Sequence, residues 1–188
     1  MIQNHAQRNI PRGFNAWRKS VTASFLCAAL LAAFPAHAAV PAPIRLAIFD
    51  FELVDLTDKP SPAGDPSDTE HLRRVTDEVR GLLAQSGRYS MVDVAGADAD
   101  AVKEHALRDC NGCDAGIALK LGAEQSFIGV VKRISRTEYT IRFQIRDAPT
   151  GTVVSTEDSG LRMGADYSWN RGAARLIRDR LLESRTRQ

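Results

Sequence analysis

The run from Cys110 to Val131, CNGCDAGIALKLGAEQSFIGVV, constrains the fold more than any other part of the chain. Asn111 and Gly112 tolerate the positive φ that a reversal between two closely spaced cysteines needs. Asp114 follows as a first-turn acid, and Ala115, Ile117, Ala118 and Leu121 recur at helical spacing up to Gly122, a left-handed helix stop. Phe127 to Val131 is then apolar without alternation, which is how a strand covered on both faces reads. The stretch therefore predicts a tight loop, a short helix and a central strand.

Whether Cys110 and Cys113 pair depends on compartment, because thiols oxidise outside the cytosol and stay reduced within it. Residues 1–20 hold Arg8, Arg12, Arg18 and Lys19 and no acid, and an apolar segment from Val21 to Phe34 ends in Pro35-Ala36-His37-Ala38. That pattern predicts a secretory signal peptide over 1–38, with cleavage near Ala38/Ala39 and a periplasmic product. About 14 apolar residues fall short of the ~20 a spanning helix needs, so no stable membrane insertion is expected after cleavage. Cys27 lies inside the apolar segment behind Ser24-Phe25-Leu26, which is not a lipidation context.

The signal takes 4 of the 25 basic residues and none of the 23 acids, so 21 remain against 23, about −2. The basic balance of the whole chain is thus a targeting feature, and no nucleic-acid partner is expected. About 150 residues remain, enough for one domain with its own core.

Pro41 to Pro43 closes a short extended leader over 39–43, and Ile44–Leu53 reads as one central strand, its middle apolar on both faces apart from Asp50. Asp55–Asp68 is a long acidic loop with Pro60, Pro62 and Pro66, expected to be mobile. Ser67 and Glu70 form a capping-box pattern ahead of an apolar stripe, Leu72, Val75, Val79, Leu82 and Leu83, that predicts a helix ending at Gly87. Tyr89–Val94 returns as a second strand, and strand–helix–strand implies a parallel crossover. A further helix is expected over Ala97–Leu107. Tyr139–Arg146 alternates as a half-buried antiparallel strand, Ala148-Pro149-Thr150-Gly151 turns, and Thr152–Thr156 completes a hairpin. Asp166–Leu182 is an amphipathic closing helix, leaving a polar tail at 184–188. The fold class is α/β (α+β): within a single domain over 44–183, a mixed five-stranded sheet with a parallel βαβ start, an antiparallel carboxy-terminal hairpin and a closing helix.

The phrases IRLAIFDFEL, VRGLLAQSGRYSMVDV, LGAEQSFIGVVKRI and RDAPTGTVV resemble the periplasmic domain of the curli-export lipoprotein and the amino-terminal domain of TolB. The likeness spans about residues 44–182. DCNGC and the closing YSWNRG are similar to an uncharacterised family of secreted proteobacterial proteins, a domain of unknown function. Neither resemblance brings catalytic residues. Together they imply a non-enzymatic domain of envelope complexes that works by contacting other proteins. The lipidated cysteine of the curli exporter has no counterpart here, so a channel role is not implied.

The cysteine pair supports three readings. A disulfide staple would close a four-residue ring that fixes where the helix starts, stabilising by about 2 kcal/mol. A C-x-x-C at a helix amino terminus also has the electrostatics for thiol redox work, although Lys103–Asp109 looks helical where a redox site would have a strand. Metal handling, copper included, would have to draw on His71 and the nearby His105, a poor closed set. Asp50 and Asp93 stand at comparable strand positions, either as a carboxylate pair or as strand-end residues bonded to backbone amides. The 55–68 acids miss the EF-hand register. Trp169, Arg171, Arg175 and Arg178 of the closing helix are the candidate partner surface for an acidic partner or lipid headgroups, against an ordinary solvated face interleaved with Asp179 and Glu183. No cofactor and no catalytic residue is expected. The functional expectation is a periplasmic, non-catalytic interaction domain accessory to an envelope assembly or exported enzyme, with thiol redox or metal handling as the alternative.

Overall fold

The computed structural model describes residues 41–97 and 106–183. The signal segment, most of the helix expected over Ala97–Leu107, and the polar tail lie outside them.

Five strands form the main path of a mixed sheet: β1 (Ile44–Ile48), β3 (Tyr89–Val92), β4 (Gln125–Ser135), β5 (Glu138–Asp147) and β6 (Val153–Asp158), in the order β3-β1-β4-β5-β6. Two short strands, β2 (Glu52–Asp55) on β4 and β7 (Arg162–Met163) on β5, complete it. β1 runs parallel to β3 and β4, and β4, β5 and β6 are antiparallel. Central β4 and the parallel start follow the sequence reading.

The expected Ile44–Leu53 strand is two strands. β1 pairs with β4 at Leu46–Ile48, the chain steps aside at Phe49–Phe51, and β2 resumes on the same partner further along. Asp50 drives the break, since an exposed carboxylate cannot stay in a strand buried on both faces. Phe51 donates its N–H to Thr76 Oγ1 (3.0 Å) and lays its ring where a β-carbon on Gly129 would stand.

Helix α1 (Pro66–Gln85) connects β2 to β3. Its N-cap is Asp65 rather than Ser67: the Asp65 carboxylate accepts from the N–H groups of Ser67 and Asp68, and Glu70 binds Arg73 and Arg74 instead of reaching back. The acid two residues further upstream is the stronger acceptor for the free amides. α2 (Cys113–Lys120) ends at Gly122, φ +81°, as the sequence predicts. α3 (Trp169–Leu176) closes the chain, and its last stretch, Ile177–Leu182, widens into a π-helix. Arg88 caps that end by donating to the carbonyls of Leu181 (2.9 Å) and Leu182 (3.2 Å).

The two sheet faces are treated differently. Leu46, Ile48, Phe127, Val131, Ile141, Phe143 and Ile145 point to one face and are buried under α1 and α3, through Val75, Val79, Leu83, Trp169, Ala173 and Leu176. The Phe127 and Phe143 rings stack at 5.3 Å. On the other face a smaller cluster, Ala47, Phe49, Ile128 and Ala148 with Leu107, Ile117 and Ala118, lies under α2 and the turn before it. The outer part of that second face has no helix over it among the described residues.

Candidate functional site

The cysteine loop is built where the sequence puts it, on the second face beside β4 and β5. A 3₁₀ turn at Leu107–Asp109 leads in, Asn111 (φ +37°) and Gly112 (φ +114°) take the left-handed conformations, and Cys113 opens α2. The Cys110 and Cys113 sulfurs lie at disulfide distance, with Cα atoms 5.6 Å apart. Glu52 of β2 fastens the turn, accepting from the Leu107 N–H and from Arg108 Nη1, both at 2.6 Å. On the far side Arg146 of β5 donates to the Gly151 carbonyl (3.0 Å) and reaches Asn111 Oδ1 (3.5 Å).

Asp114, read as a plain first-turn acid, is fully buried. Ser126 donates to its Oδ2 at 2.5 Å, and Arg146 Nε stands 3.5 Å from Oδ1, so an ion pair lies under the helix start. The Asp114 Oδ1 and Arg146 Nε atoms have no hydrogen-bond partner among the described residues.

Between this loop and the sheet lies an open cavity of about 270 Å³. Register makes its floor: Ile128 pairs with Gln144 and Val130 with Arg142, so an apolar row on β4 runs beside a polar row on β5. Arg108 and Asn111 form the opposite wall. Arg108 is neutralised by Glu52 and Arg146 by Asp114, whereas exposed Arg142 makes no ion pair among the described residues.

At the other end of the sheet, on the helix-covered face, Arg133 of β4 forms a site that sequence reasoning missed. Its Nη1 donates to Asp55 (2.7 Å) and Ser61 Oγ (3.0 Å), its Nη2 to Asp166 (3.0 Å) and to Asp68, and its guanidinium stands 5.1 Å from the Trp169 ring. Arg133, Asp55 and Asp68 side chains are each 10% exposed or less. Burial pushes the Asp55 carboxyl up, but the Ser61 and Thr57 amides, the Thr57 hydroxyl and Arg133 outweigh it and hold the pKa at about 2, below its ordinary 3.8. Burial likewise opposes the Arg133 charge, yet hydrogen bonds to Asp68 and Asp55 and the charges of Asp166 and Asp68 raise its pKa. The 55–68 loop is therefore pinned at both ends, not a free acidic loop. The signal was thin: one arginine in an apolar strand, with no spacing to name its acids.

The candidate partner surface needs correction. Trp169 is 1% exposed, wedged against His71 (5.9 Å) and Arg133, because α3 turns that side of its stripe to the core. Arg171 is exposed over Tyr167, Arg175 faces Asp179 (3.4 Å) and Arg178 faces Glu78 (3.7 Å), an arrangement of solvated pairs. Asp93 caps the Ala95 N–H at 2.9 Å, the backbone role expected of a strand-end residue. His105 lies outside the described residues, and among those described no three metal-ligating side chains converge. No described helix is long and apolar enough to cross a membrane.

Several solved structures are similar. The LpoB carboxy-terminal domain from Salmonella enterica is 17% identical, with 67% of this chain and 87% of that one covered at a TM-score of 0.45. A PelC dodecamer from Paraburkholderia phytofirmans gives 13%, 73%, 88% and 0.43 for the same quantities. TolB from Acinetobacter baumannii, whose amino-terminal domain the sequence phrases resemble, gives 15%, 72%, 27% and 0.42. No curated protein matches the sequence. A family model covers residues 44–181, almost the whole folded domain, and the chain belongs to that family, described as "Protein of unknown function (DUF2380)".

Proposed function

We propose that this chain is an exported, periplasmic, non-catalytic domain that serves a cell-envelope assembly by binding another protein. One observation carries the reading. Leu56, Leu161 and Met163 are 56%, 60% and 72% exposed, and register puts all three on the side of the sheet away from α1 and α3. Met163 pairs with Glu138 while Arg162 pairs with core-facing Tyr139, so Met163 and Leu161 point outward together. Leu56 extends the β2 ladder through its N–H to the Arg133 carbonyl (2.9 Å), one pleat beyond Val54. Large apolar side chains on one face that no described helix covers mark a contact surface. The signal pattern at the amino terminus and the cysteines at disulfide distance support the oxidising compartment.

The test is site-specific photocrosslinking in the periplasm. A photoreactive residue replacing Met163 should give discrete protein adducts, and one replacing Arg74 on exposed α1 should not. Equal labelling from both positions, or none from Met163, defeats the reading. Thiol redox or metal handling by Cys110 and Cys113 is the competing reading, and catalytic turnover of a dithiol substrate by the purified protein would establish it.

A further inference from the structure

We propose that the cavity between the cysteine loop and β4–β5 receives a single carboxylate of a partner protein, with Arg142 as the residue that takes its charge. The proposal deepens the interaction-domain reading, on which it rests, by naming what the partner presents.

Size decides first. A space of about 270 Å³ falls below the ≈ 300–1,000 Å³ of sites that enclose a whole small ligand, and suits one anchoring side chain or a chain terminus. Charge decides next. Of the three arginines at the cavity, Arg108 is paired with Glu52 at 2.6 Å and with Asp109 at 3.4 Å, and Arg146 faces buried Asp114 at 3.5 Å, so Arg142 is the one that makes no ion pair among the described residues. A carboxylate brings one negative charge and matches it. A phosphate monoester brings nearly two and would leave the excess against Asp109, which also lines the cavity. The walls agree. Asn111 offers an amide donor beside Arg142, Gln144 keeps one amide hydrogen besides the one it donates to Thr156 Oγ1 at 3.1 Å, and the Ile128–Val130 row gives the methylenes of an acidic side chain, or the last apolar residue of a chain, an apolar floor. The guanidinium fork is shaped for a carboxylate.

The site is also held in place before anything binds. Asn111 is the one non-glycine residue with positive φ among those described, set between two cysteines at disulfide distance and touching Arg146, while Glu52 fixes the preceding turn. A rigid wall lowers the ordering cost of docking.

Amide NMR titration of the purified protein tests this with four probes: acetyl-glutamate amide, carrying a side-chain carboxylate; acetyl-valine, carrying a terminal one; acetyl-glutamine amide, neutral; and inorganic phosphate. Saturable shifts at Asn111, Val130 and Gln144 with either carboxylate and not with the neutral probe are expected, and the stronger of the two identifies the source. Arg142→Ala should weaken binding about fivefold, as expected for a partly exposed ion pair, and Arg142→Lys should restore part of it. Because Arg142 is exposed, its variants keep the wild-type spectrum away from the cavity. No saturable shift with either carboxylate, unchanged affinity in Arg142→Ala, or saturation by phosphate alone overturns the proposal. Partner adducts at Met163 in that event leave the broader reading standing, so the two fail separately.

Discussion

Arg133 and Arg142 sit on adjacent strands of the same sheet and point to opposite faces, with opposite surroundings. Arg133 is buried under α1 and α3 and touches three carboxylates; Arg142 is exposed beside an apolar row and touches none among the described residues. A guanidinium cannot enter a core without partners to replace its water, so Arg133 obliges β2, the 55–68 loop and the turn before α3 to converge on it. Arg142 keeps its water and constrains nothing, which leaves its charge available. Identical side-chain chemistry holds the fold together at one place and stands ready for a ligand at the other.

The largest effect should come from Arg133→Leu. It strands Asp55 and Asp68 as buried, uncompensated acids, and loss of one partner from a buried pair costs about 3–5 kcal/mol. Urea unfolding followed by circular dichroism measures it. A loss under about 1 kcal/mol would mean that water reaches the site and that burial does not separate the two arginines.

Gly129→Ala bears on the same end of the sheet. An added β-carbon meets the Phe51 ring, and Phe51 stands between β1 and β2, so relief has to disturb the step that delivers Asp55 to Arg133. Overpacking of this kind costs about 1–3 kcal/mol. Thermal unfolding of the variant checks it, and Phe51→Leu in the same background should recover part of the loss.

Acid separates the two regions by titration. The Asp55 pKa is lowered in the folded state to about 2 from an ordinary 3.8, so its contribution to stability is complete above pH 4 and disappears as pH falls toward 2. A stability profile over pH 2–5 should fall on the acid side, and Asp55→Asn should flatten that part of the curve. An unchanged slope in Asp55→Asn would show that other carboxylates carry the acid transition. Reduction of the Cys110–Cys113 bond should cost less than the Arg133 change, about 2 kcal/mol, because a four-residue ring removes little chain entropy from the unfolded state. Urea midpoints with and without reductant give the value.

Periodicity explains which parts were legible in the sequence. The apolar run at Phe127–Val131, the alternation at Tyr139–Arg146 and the stripe of α1 each report a face and a partner layer, and the mixed sheet with its parallel start followed from them. The left-handed Asn111 and Gly112 were legible for the same reason, since local backbone demands show in local composition. The Arg133 site was not, because Asp55, Asp68 and Asp166 approach it from three segments, 78, 65 and 33 residues away, and contacts at such separations leave no local trace. Trp169 is a different case. At helical spacing it shares one side with Ala173, Leu176, Ile177 and Leu181, the side that packs into the core, so its place on a partner surface ran against the periodicity itself, and the fold settles it against His71 and Arg133.

The smallest stability effect should be that of Arg142→Ala, within about 0.5 kcal/mol of the parent, because an exposed side chain with no ion pair among the described residues loses only its own solvation and a little covered strand. Equality is the informative result here. If Arg142→Ala unfolded the protein as readily as Arg133→Leu, the residue would be structural, and weakened carboxylate binding by the variant would report a damaged sheet. If its urea midpoint stays at the parent value while carboxylate affinity drops, the fold does not need that charge. A positive charge that the fold can lose without cost, placed beside a rigid loop and an apolar floor, is accounted for by what it binds.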